Sequence, residues 1–348
     1  MSGFRIAISG DFYKSDGTPV FSDFDLSILR NAKDVEVKPI SAVDPLPAVE
    51  LEDCDALILM GVGFATSSIP KSNRLAVVAR WGVGYDKVDV EACTAAGIAL
   101  CITPDGVRRP VAISIVALML ALTGKLLVKD KLARLGAPGF QSRGANMGLG
   151  LVGLTLGSIG VGNIGAELFR LTKPFDMKFL AHDPTDNPEL DEELGIERTN
   201  LDDLFRRADV LAVNCPLTPA TRHLVNAQRL SLMKPTAYLI NTARGAIIDQ
   251  GALTIALQEK RIAGAGLDVF EVEPPDPNDL IFELNNVIVS PHALCWTNEL
   301  FQGLTEGNVR AVLDVQQGKL PQAIVNRAVI QSPRFQSKLA ALQHRFRS

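Results

Sequence analysis

Three ionisable side chains in the second half of the sequence are of the types needed to move a proton on an anionic substrate: Arg244, Glu273 and His292. A histidine titrates near neutral pH, so His292 could give or take the proton of a hydroxyl group. A carboxylate beside the imidazole would orient the ring, and Glu273 is the candidate for that task. The planar guanidinium of Arg244 could bind a substrate carboxylate through paired hydrogen bonds. We predict that these three residues form a catalytic set.

Their positions support this grouping, although each residue also has a simpler explanation. Arg244 follows a predicted strand that ends at Asn241, and His292 follows one that ends at Ser290. Doubly wound folds bind their ligands at the carboxyl ends of such strands. Yet His292 could be a packing residue, Glu273 a solvated acid in a proline-rich loop, and Arg244 a surface turn residue. The residues alone leave these alternatives open.

The stretch Leu154–Pro184 places a glycine-rich turn, GVGNIG, between a predicted strand and a predicted helix. Gly160 permits a tight turn, Gly162 lets the backbone approach a pyrophosphate, and Gly165 allows the helix to pack closely on the strand. The unpaired N–H groups at the start of the helix would then face the phosphates. A second apolar run follows, which completes the strand–helix–strand pattern of a dinucleotide site.

An acid at the end of that pattern indicates which dinucleotide binds. Asp183 lies 23 residues after Gly160, close to the spacing of about 20 residues at which an acid binds a ribose 2′-hydroxyl. A carboxylate there would repel a 2′-phosphate, and no lysine or arginine occurs among residues 184–187. The sequence therefore favours NAD over NADP.

Short apolar runs alternate with helical stretches along the whole chain, which predicts parallel sheets covered on both faces. We expect an α/β fold of two doubly wound domains, one a Rossmann NAD-binding domain and one a flavodoxin-like substrate domain, with the cleft between them. Residues 1–110, completed by 317–348, would form the substrate domain. Residues 111–316 would form the NAD-binding domain, including one interdomain helix over 111–135 and another over 297–316. The predicted strands are Phe4–Ser9, Val35–Ile40, Ala56–Met60, Leu75–Ala79, Ile98–Ile102, Leu154–Ile159, Met177–Ala181, Val210–Asn214, Ala237–Asn241, Gly264–Asp268 and Val287–Ser290.

Composition narrows the class of protein further. The chain has 348 residues, is 47% hydrophobic and carries a net charge of −4 without any basic block, which argues against nucleic acid as a main partner. Five cysteines with no CxxC pair indicate reduced thiols, and we expect no metal site. The uncharged run Val111–Gly124 is too short to cross a bilayer, and Gly144–Ala166 is better explained as a strand and turn. The N-terminus has no signal-like core. We expect a cytoplasmic protein without a membrane partner.

Several motifs in register resemble the D-isomer-specific 2-hydroxyacid dehydrogenase family. They span about two-thirds of the chain, in the order and spacing of that family. The motifs are RWGVGYDKVD (Arg80–Asp89), GVGNIG (Gly160–Gly165), HDP (His182–Pro184), CPLTPATRHLVN (Cys215–Asn226), NTARGAIID (Asn241–Asp249), AGLDVFEVEPP (Ala265–Pro275) and SPH (Ser290–His292).

The resemblance implies a role for each matching residue. His292 would be the acid/base, Glu273 its partner, and Arg244 the ligand of the substrate carboxylate and C2 oxygen. Arg80 and the backbone amides of Val83 and Gly84 would complete the substrate site. It also implies a homodimer joined through the nucleotide domains. The residues that would bind NAD, with the glycines of the turn, are Asn163, Ile164, Asp183, Pro216, Thr221, Thr242, Ala243 and Asp268.

Two departures from the family pattern bear on the substrate. Arg108 and Arg109 lie just before the first predicted long helix, where they either favour a substrate with a second anionic group or are solvated residues at the helix start. Ala293-Leu294-Cys295-Trp296 replaces the glycine pair of phosphoglycerate-type members, which favours a glyoxylate, hydroxypyruvate or lactate type. A 3-phosphoglycerate dehydrogenase and an NAD-sensing, non-catalytic regulator similar to the transcriptional corepressor relatives are the alternatives.

Overall fold

The computed structural model describes residues 3–21 and 24–346 and divides the chain into two compact units. The first unit comprises Met1–Val107 with Thr297–Ser348, and the second comprises Arg108–Trp296. The strands are β1 Phe4–Ile8, β2 Val35–Pro39, β3 Ala56–Leu59, β4 Val77–Arg80, β5 Ala99–Cys101, β6 Thr155–Ile159, β7 Lys178–His182, β8 Ile196–Arg198, β9 Val210–Val213, β10 Tyr238–Asn241, β11 Gly264–Leu267 and β12 Val287–Val289. The α-helices are α1 Ser27–Arg30, α2 Val90–Ala95, α3 Pro104–Thr123, α4 Leu126–Arg134, α5 Ala137–Ser142, α6 Asn163–Thr172, α7 Pro188–Leu194, α8 Leu201–Arg207, α9 Ala227–Leu230, α10 Gln250–Gln258, α11 Asn298–Gln316 and α12 Pro333–Phe346.

The first unit contains a parallel sheet whose described strands run in the order β2-β1-β3-β4-β5. Ile6 of β1 pairs with Val37 on one side and with Ala56 on the other. All four residues of β3 are buried, as expected of a central strand with helices on both faces. This strand order is that of flavodoxin-like doubly wound folds, so the predicted class of this unit is confirmed.

The second unit contains a parallel sheet in the order β12-β11-β10-β9-β6-β7-β8 within the described residues. Strand β6 pairs with β7 on one side and with β9 on the other. The order reverses between β6 and β9, and this reversal is the switch point at which Rossmann folds bind dinucleotides. The Rossmann prediction is therefore confirmed, with the short edge strand β8 as an addition. Its three residues, Ile196-Glu197-Arg198, carry too little apolar pattern to predict a strand.

The last long helix, α11, lies in the first unit and packs on β3, β4 and α12. The assignment of residues 297–316 to the NAD-binding domain is thus corrected. The apolar face of α11, which includes Leu300, Leu304 and Val312, is buried. Periodicity predicts such a face but does not tell which of two sheets it covers.

The C-terminal residues that follow α11 complete the first unit. The Asn326 side chain accepts a hydrogen bond from the N–H of Leu100 and donates one to the carbonyl of Ile98, both at 2.9 Å. Lys338 in α12 is only 8% exposed. Its Nζ donates at 2.7, 2.8 and 2.9 Å to the carbonyl oxygens of Leu75, Ala96 and Gly97. These polar contacts attach the end of the chain to the first sheet.

The predicted helix over residues 111–135 consists of two helices. Helix α3 begins earlier, at Pro104, and ends at Thr123, while Lys125 has a φ of +51° that stops the helix before α4. The segment predicted as a loop, 135–153, contains α5. Among the described helices, α3 alone is long and apolar enough to cross a membrane. Its 20 residues extend beyond the uncharged run Val111–Gly124, which by itself is too short. However, 56% of its most apolar 18-residue segment is buried inside the protein. The core helix of a globular protein has the same properties.

Candidate active site and dinucleotide site

The glycine-rich turn between β6 and α6 has the geometry that a pyrophosphate requires. Gly160 has a φ of +96°, and a Cβ there would lie 3.0 Å from the backbone of Asn214. A Cβ on Gly165 would lie 2.4 Å from the carbonyl oxygen of Gly160, so α6 can approach the turn only because residue 165 is a glycine. Gly162 has open space where its Cβ would be. That space lies beside the N-terminus of α6, where Asn163 and Ile164 begin the helix.

Asp183 follows β7 and is tied to the same turn. Its Oδ2 accepts a hydrogen bond from the N–H of Val161 at 2.7 Å, and its Oδ1 accepts one from Thr185 at 2.8 Å. The carboxylate is thereby fixed beside the glycines. Across the sheet, the buried hydroxyl of Thr242 has no hydrogen-bond partner among the described residues. An open glycine turn, a fixed acid and an unpaired buried hydroxyl at the strand ends fit a bound dinucleotide.

Arg244 projects from a turn that Asn241 organises. Asn241 ends β10 and is fully buried; its amide donates to the carbonyl of Arg244 at 2.8 Å and accepts from the N–H of Ala243 at 3.0 Å. The turn lies directly against the segment after β11, because a Cβ on Gly245 would be only 1.9 Å from the carbonyl carbon of Phe270. Only glycine permits this approach. Asn241 and Gly245, which flank Arg244, were not among the predicted site residues.

Glu273 and His292 form the hydrogen-bonded pair that the sequence predicts. His292 Nδ1 lies 2.8 Å from Glu273 Oε2, and Glu273 Oε1 accepts from the N–H of Phe270 at 3.0 Å. Partial burial acts to raise the pKa of Glu273, but the hydrogen bonds from His292 and Phe270, with the charges of His292 and Arg244, outweigh burial and lower this pKa. Glu273 is therefore a carboxylate acceptor that orients the imidazole, and Arg244 lies close enough to act on its charge.

Asp268 contacts the loop that carries the histidine. It is 2% exposed, and its Oδ1 accepts from the N–H groups of Ala293 at 3.0 Å and Leu294 at 3.1 Å. His292 itself has a φ of +55°, a conformation that costs energy for a residue other than glycine and needs support from its surroundings. Asp268 supplies that support. The predicted role of Asp268 in binding NAD stays a prediction, and the structure adds this second role.

The loop after β9 is closed by its own hydroxyl groups. The Thr221 hydroxyl donates to the carbonyl of Pro216 at 2.6 Å, and the N–H of Thr218 donates to the Thr221 oxygen at 2.7 Å. Pro216 is thereby fixed at the carboxyl end of β9, next to the switch point. This arrangement is compatible with the predicted place of Pro216 and Thr221 in the NAD site.

A second histidine–glutamate pair lies near the first and was not predicted. His223 Nε2 lies 2.5 Å from Glu271 Oε1, and the N–H of Glu271 donates to the side chain of Gln250 at 3.0 Å. These contacts fix the loop that carries Glu273 from its other side. The motif around His223 was recognised in the sequence, but nothing in its pattern indicates that residue 271 is its partner.

The remaining predicted substrate ligands belong to the first unit. Arg80 ends β4, and its guanidinium donates to the carbonyl of Trp81. Gly82 has a φ of +120°, and its N–H donates to the Thr103 hydroxyl at 3.0 Å. Val83 and Gly84 follow at the carboxyl end of the sheet, the edge where doubly wound folds bind ligands.

The cysteines are free thiols, as their spacing suggests. Burial raises the pKa of Cys215 and of Cys295 to about 11, so both thiols are protonated at neutral pH. These two cysteines follow strands of the second sheet, and a protonated thiol is a weak nucleophile.

NAD-dependent oxidoreductases combine a Rossmann sheet with a glycine-rich turn and an acid beside it, as Asp183 is here. The arginine and the histidine–glutamate pair at the strand ends also fit that class. Residues 116–293 match the family model for the D-isomer specific 2-hydroxyacid dehydrogenase, NAD binding domain. The chain belongs to this family, and it is an NAD-dependent D-2-hydroxyacid dehydrogenase. The predicted family, enzyme class and cofactor are thus confirmed.

Relatives with names and solved structures agree with this assignment. The glyoxylate reductase of Thermococcus onnurineus (strain NA1) is 38% identical over 81% of this chain and 85% of its own. That of Aeropyrum pernix is 36% identical over 88% of this chain and 93% of its own. The structure of D-lactate dehydrogenase from Aquifex aeolicus, complexed with NAD and lactic acid, has a TM-score of 0.76 at 30% identity, over 90% of this chain and 96% of that one. A glyoxylate reductase from Paecilomyes thermophila has a TM-score of 0.78 at 27% identity, over 93% of this chain and 99% of that one.

Proposed function

We propose that the protein interconverts a small 2-oxoacid and the corresponding D-2-hydroxyacid, of the glyoxylate, hydroxypyruvate or lactate type. The observation that carries the proposal is the 2.8 Å pair of Glu273 and His292 at the strand ends of the NAD-binding sheet, with Arg244 near enough to lower the pKa of that glutamate. The names of the relatives, glyoxylate reductase and D-lactate dehydrogenase, support this range of substrates.

The proton chemistry follows from which imidazole nitrogen is engaged. Nδ1 faces Glu273, so Nε2 is the nitrogen left for the substrate. In oxidation, neutral Nε2 accepts the proton of the C2 hydroxyl; in reduction, the protonated ring returns it to the C2 oxygen. When bound, NAD accepts the C2 hydride and NADH donates it. Glu273 keeps the ring in the tautomer that this exchange requires.

Arg244 binds the carboxylate and polarises the C2 oxygen, which places C2 for hydride transfer. The first unit acts as the substrate domain and contributes the amides of Val83 and Gly84, with Arg80 beside them. In the second unit, the glycine turn with Asn163 and Ile164 binds the pyrophosphate and Asp183 binds the ribose. Pro216, Thr221, Thr242, Ala243 and Asp268 complete the NAD site in this proposal.

The protein acts as a homodimer in this proposal, and the apolar surface of the second unit supports it. Large apolar side chains are exposed on and after α4 and α5, including Leu135 at 64%, Phe140 at 57% and Met147 at 77%. Exposed apolar patches of this kind mark interaction surfaces. A second copy is the partner that the family resemblance implies. Cytoplasmic location, and the absence of membrane and nucleic-acid partners, remain predictions.

The test is turnover of NADH with a panel of small 2-oxoacids, including phosphorylated and dicarboxylic members. We expect reduction of at least one of glyoxylate, hydroxypyruvate and pyruvate. His292→Ala should lower kcat by about 10²–10⁴-fold, the size of acid–base catalysis, while NADH still binds. No turnover of any 2-oxoacid would refute the proposal and favour an NAD-sensing regulator. Activity confined to phosphorylated substrates would favour the phosphoglycerate type.

A further inference from the structure

A buried carboxylate lies on the helix that begins at the pyrophosphate turn. Glu167 is in α6, and its side chain is only 7% exposed. Three arginines surround it. Arg109 Nη1 lies 2.7 Å from Glu167 Oε1, while Arg108 Nε and Arg170 Nη1 lie 4.0 Å from Oε2. Acids are rarely buried without such partners.

The place of Glu167 along α6 makes its charge important for the cofactor. It lies four residues after Asn163, which is about 6 Å along the helix axis at 1.5 Å per residue. That distance is shorter than the screening length of about 8–10 Å in salt solution. An uncompensated Glu167 would therefore repel the diphosphate of NAD.

The three arginines do not contribute equally to this compensation. Arg170 is shared, because its Nε also lies 3.1 Å from Glu193 Oε1. Arg108 makes no close bond, and its buried Nε has no hydrogen-bond partner among residues 3–21 and 24–346. Arg109 alone donates a short hydrogen bond to Glu167. Its role in the structure is thus an ion pair across α3 and α6, which neither sequence-based explanation of Arg109 includes.

We propose that Arg109 is a positioning residue for NAD: it neutralises buried Glu167, so that the N-terminus of α6 attracts the diphosphate. The Arg109–Glu167 ion pair also fixes α3 against α6, so the arginine charge stays beside the helix that follows the glycine turn. This inference rests on the use of NAD and is independent of which 2-oxoacid reacts.

The test compares NADH affinity in four proteins, measured by equilibrium titration without substrate. Arg109→Gln should raise the Kd for NADH about tenfold, as expected for one unit charge several ångströms from the diphosphate at a partly solvated site. Glu167→Gln should bind NADH at least as tightly as the parent protein, because it leaves the positive charge of Arg109 without its acidic partner. The double variant Arg109→Gln/Glu167→Gln should return to within about twofold of the parent, because the repelling charge is gone. The matched control, Arg207→Gln, breaks an exposed pair with Glu197 and should not change the Kd.

Two further measurements distinguish an electrostatic effect of Arg109 on diphosphate binding from a general disturbance of the fold. ADP-ribose, which carries the diphosphate, should lose affinity for Arg109→Gln as NADH does, whereas adenosine should not. At saturating NADH the kcat of this variant should equal that of the parent. An unchanged Kd in Arg109→Gln, or a double variant as weak as the single one, would overturn the inference. An increase in KM for a dicarboxylic 2-oxoacid alone, with NADH binding intact, would instead assign Arg109 to the substrate. Because NADH binding is read directly, absence of 2-oxoacid turnover would affect only the proposed function.

Discussion

Replacing Gly245 by alanine should separate the two loops that carry Arg244 and Glu273. A Cβ at this position would lie 1.9 Å from the carbonyl carbon and oxygen of Phe270 and 2.4 Å from the N–H nitrogen of Glu271. Real Cβ atoms essentially never come closer than 3.0 Å to such atoms, so the backbones must move apart by about 1 Å. Both obstructing groups are backbone, and neither can rotate away.

This movement should lower both the catalytic rate and the free energy of unfolding. A displacement of about 1 Å in a catalytic group lowers the rate by about 10²-fold, because the reacting groups lose their alignment. Overpacking of a buried contact costs about 1–3 kcal/mol of unfolding free energy. For a unit of this size each kcal/mol lowers the Tm by about 2–4 °C. Gly245→Ala should therefore lose most of its kcat/KM while remaining folded at room temperature.

The assay is steady-state 2-oxoacid reduction together with thermal unfolding and NADH titration. Gly251→Ala is the matched control, since its Cβ would meet only the Asp249 side chain at 3.5 Å, near the start of α10. That control should keep full activity and gain up to about 1 kcal/mol of stability. If Gly245→Ala retained parental kcat/KM and Tm, the close contact of the two loops would play no part in catalysis.

Two further predictions concern buried hydrogen bonds. Asp268→Ala should lower kcat more than NADH affinity, because the loop after His292 loses an acceptor for two N–H groups. Asp268→Asn keeps one acceptor oxygen and should recover most of the lost kcat. Equal kcat in both variants would contradict this prediction. Lys338→Met should lower the free energy of unfolding by about 2–4 kcal/mol in urea titrations, because three carbonyl oxygens lose their donor. The control Lys319→Met, at an exposed site, should change this free energy by less than about 0.5 kcal/mol.

The parts of the fold that sequence predicts well are those with a strong local signal. Buried parallel strands are continuous apolar runs, so β3 and β9, with every residue buried, were located to within a residue. The break between α3 and α4 depends on Lys125 adopting a positive φ, which its residue type does not predict. The place of α11 depends on long-range packing, which periodicity leaves undecided.

The same distinction applies to the site. Glycines, the acid and the strand-end histidine were identified because their residue types are unusual at those positions. Asn241 and Asp268 support the reacting groups through hydrogen bonds to backbone, and such contacts have no spacing rule in the sequence. Glu167 was missed for a related reason, since an acid in a helix is ordinary until its burial is known.

The first unit is built from both ends of the chain, and this has a consequence for synthesis on the ribosome. The hydrogen bond from Leu100 to Asn326 joins residues 226 positions apart. At about 5–20 residues per second, roughly 10–45 s pass between the emergence of these two partners. The nascent N-terminal strands must wait through that interval with the β5 side of their sheet uncovered, while the continuous second unit can fold first. The second unit is therefore complete before the first, and exposure of nascent β5 is the stage at which a chaperone would protect this protein.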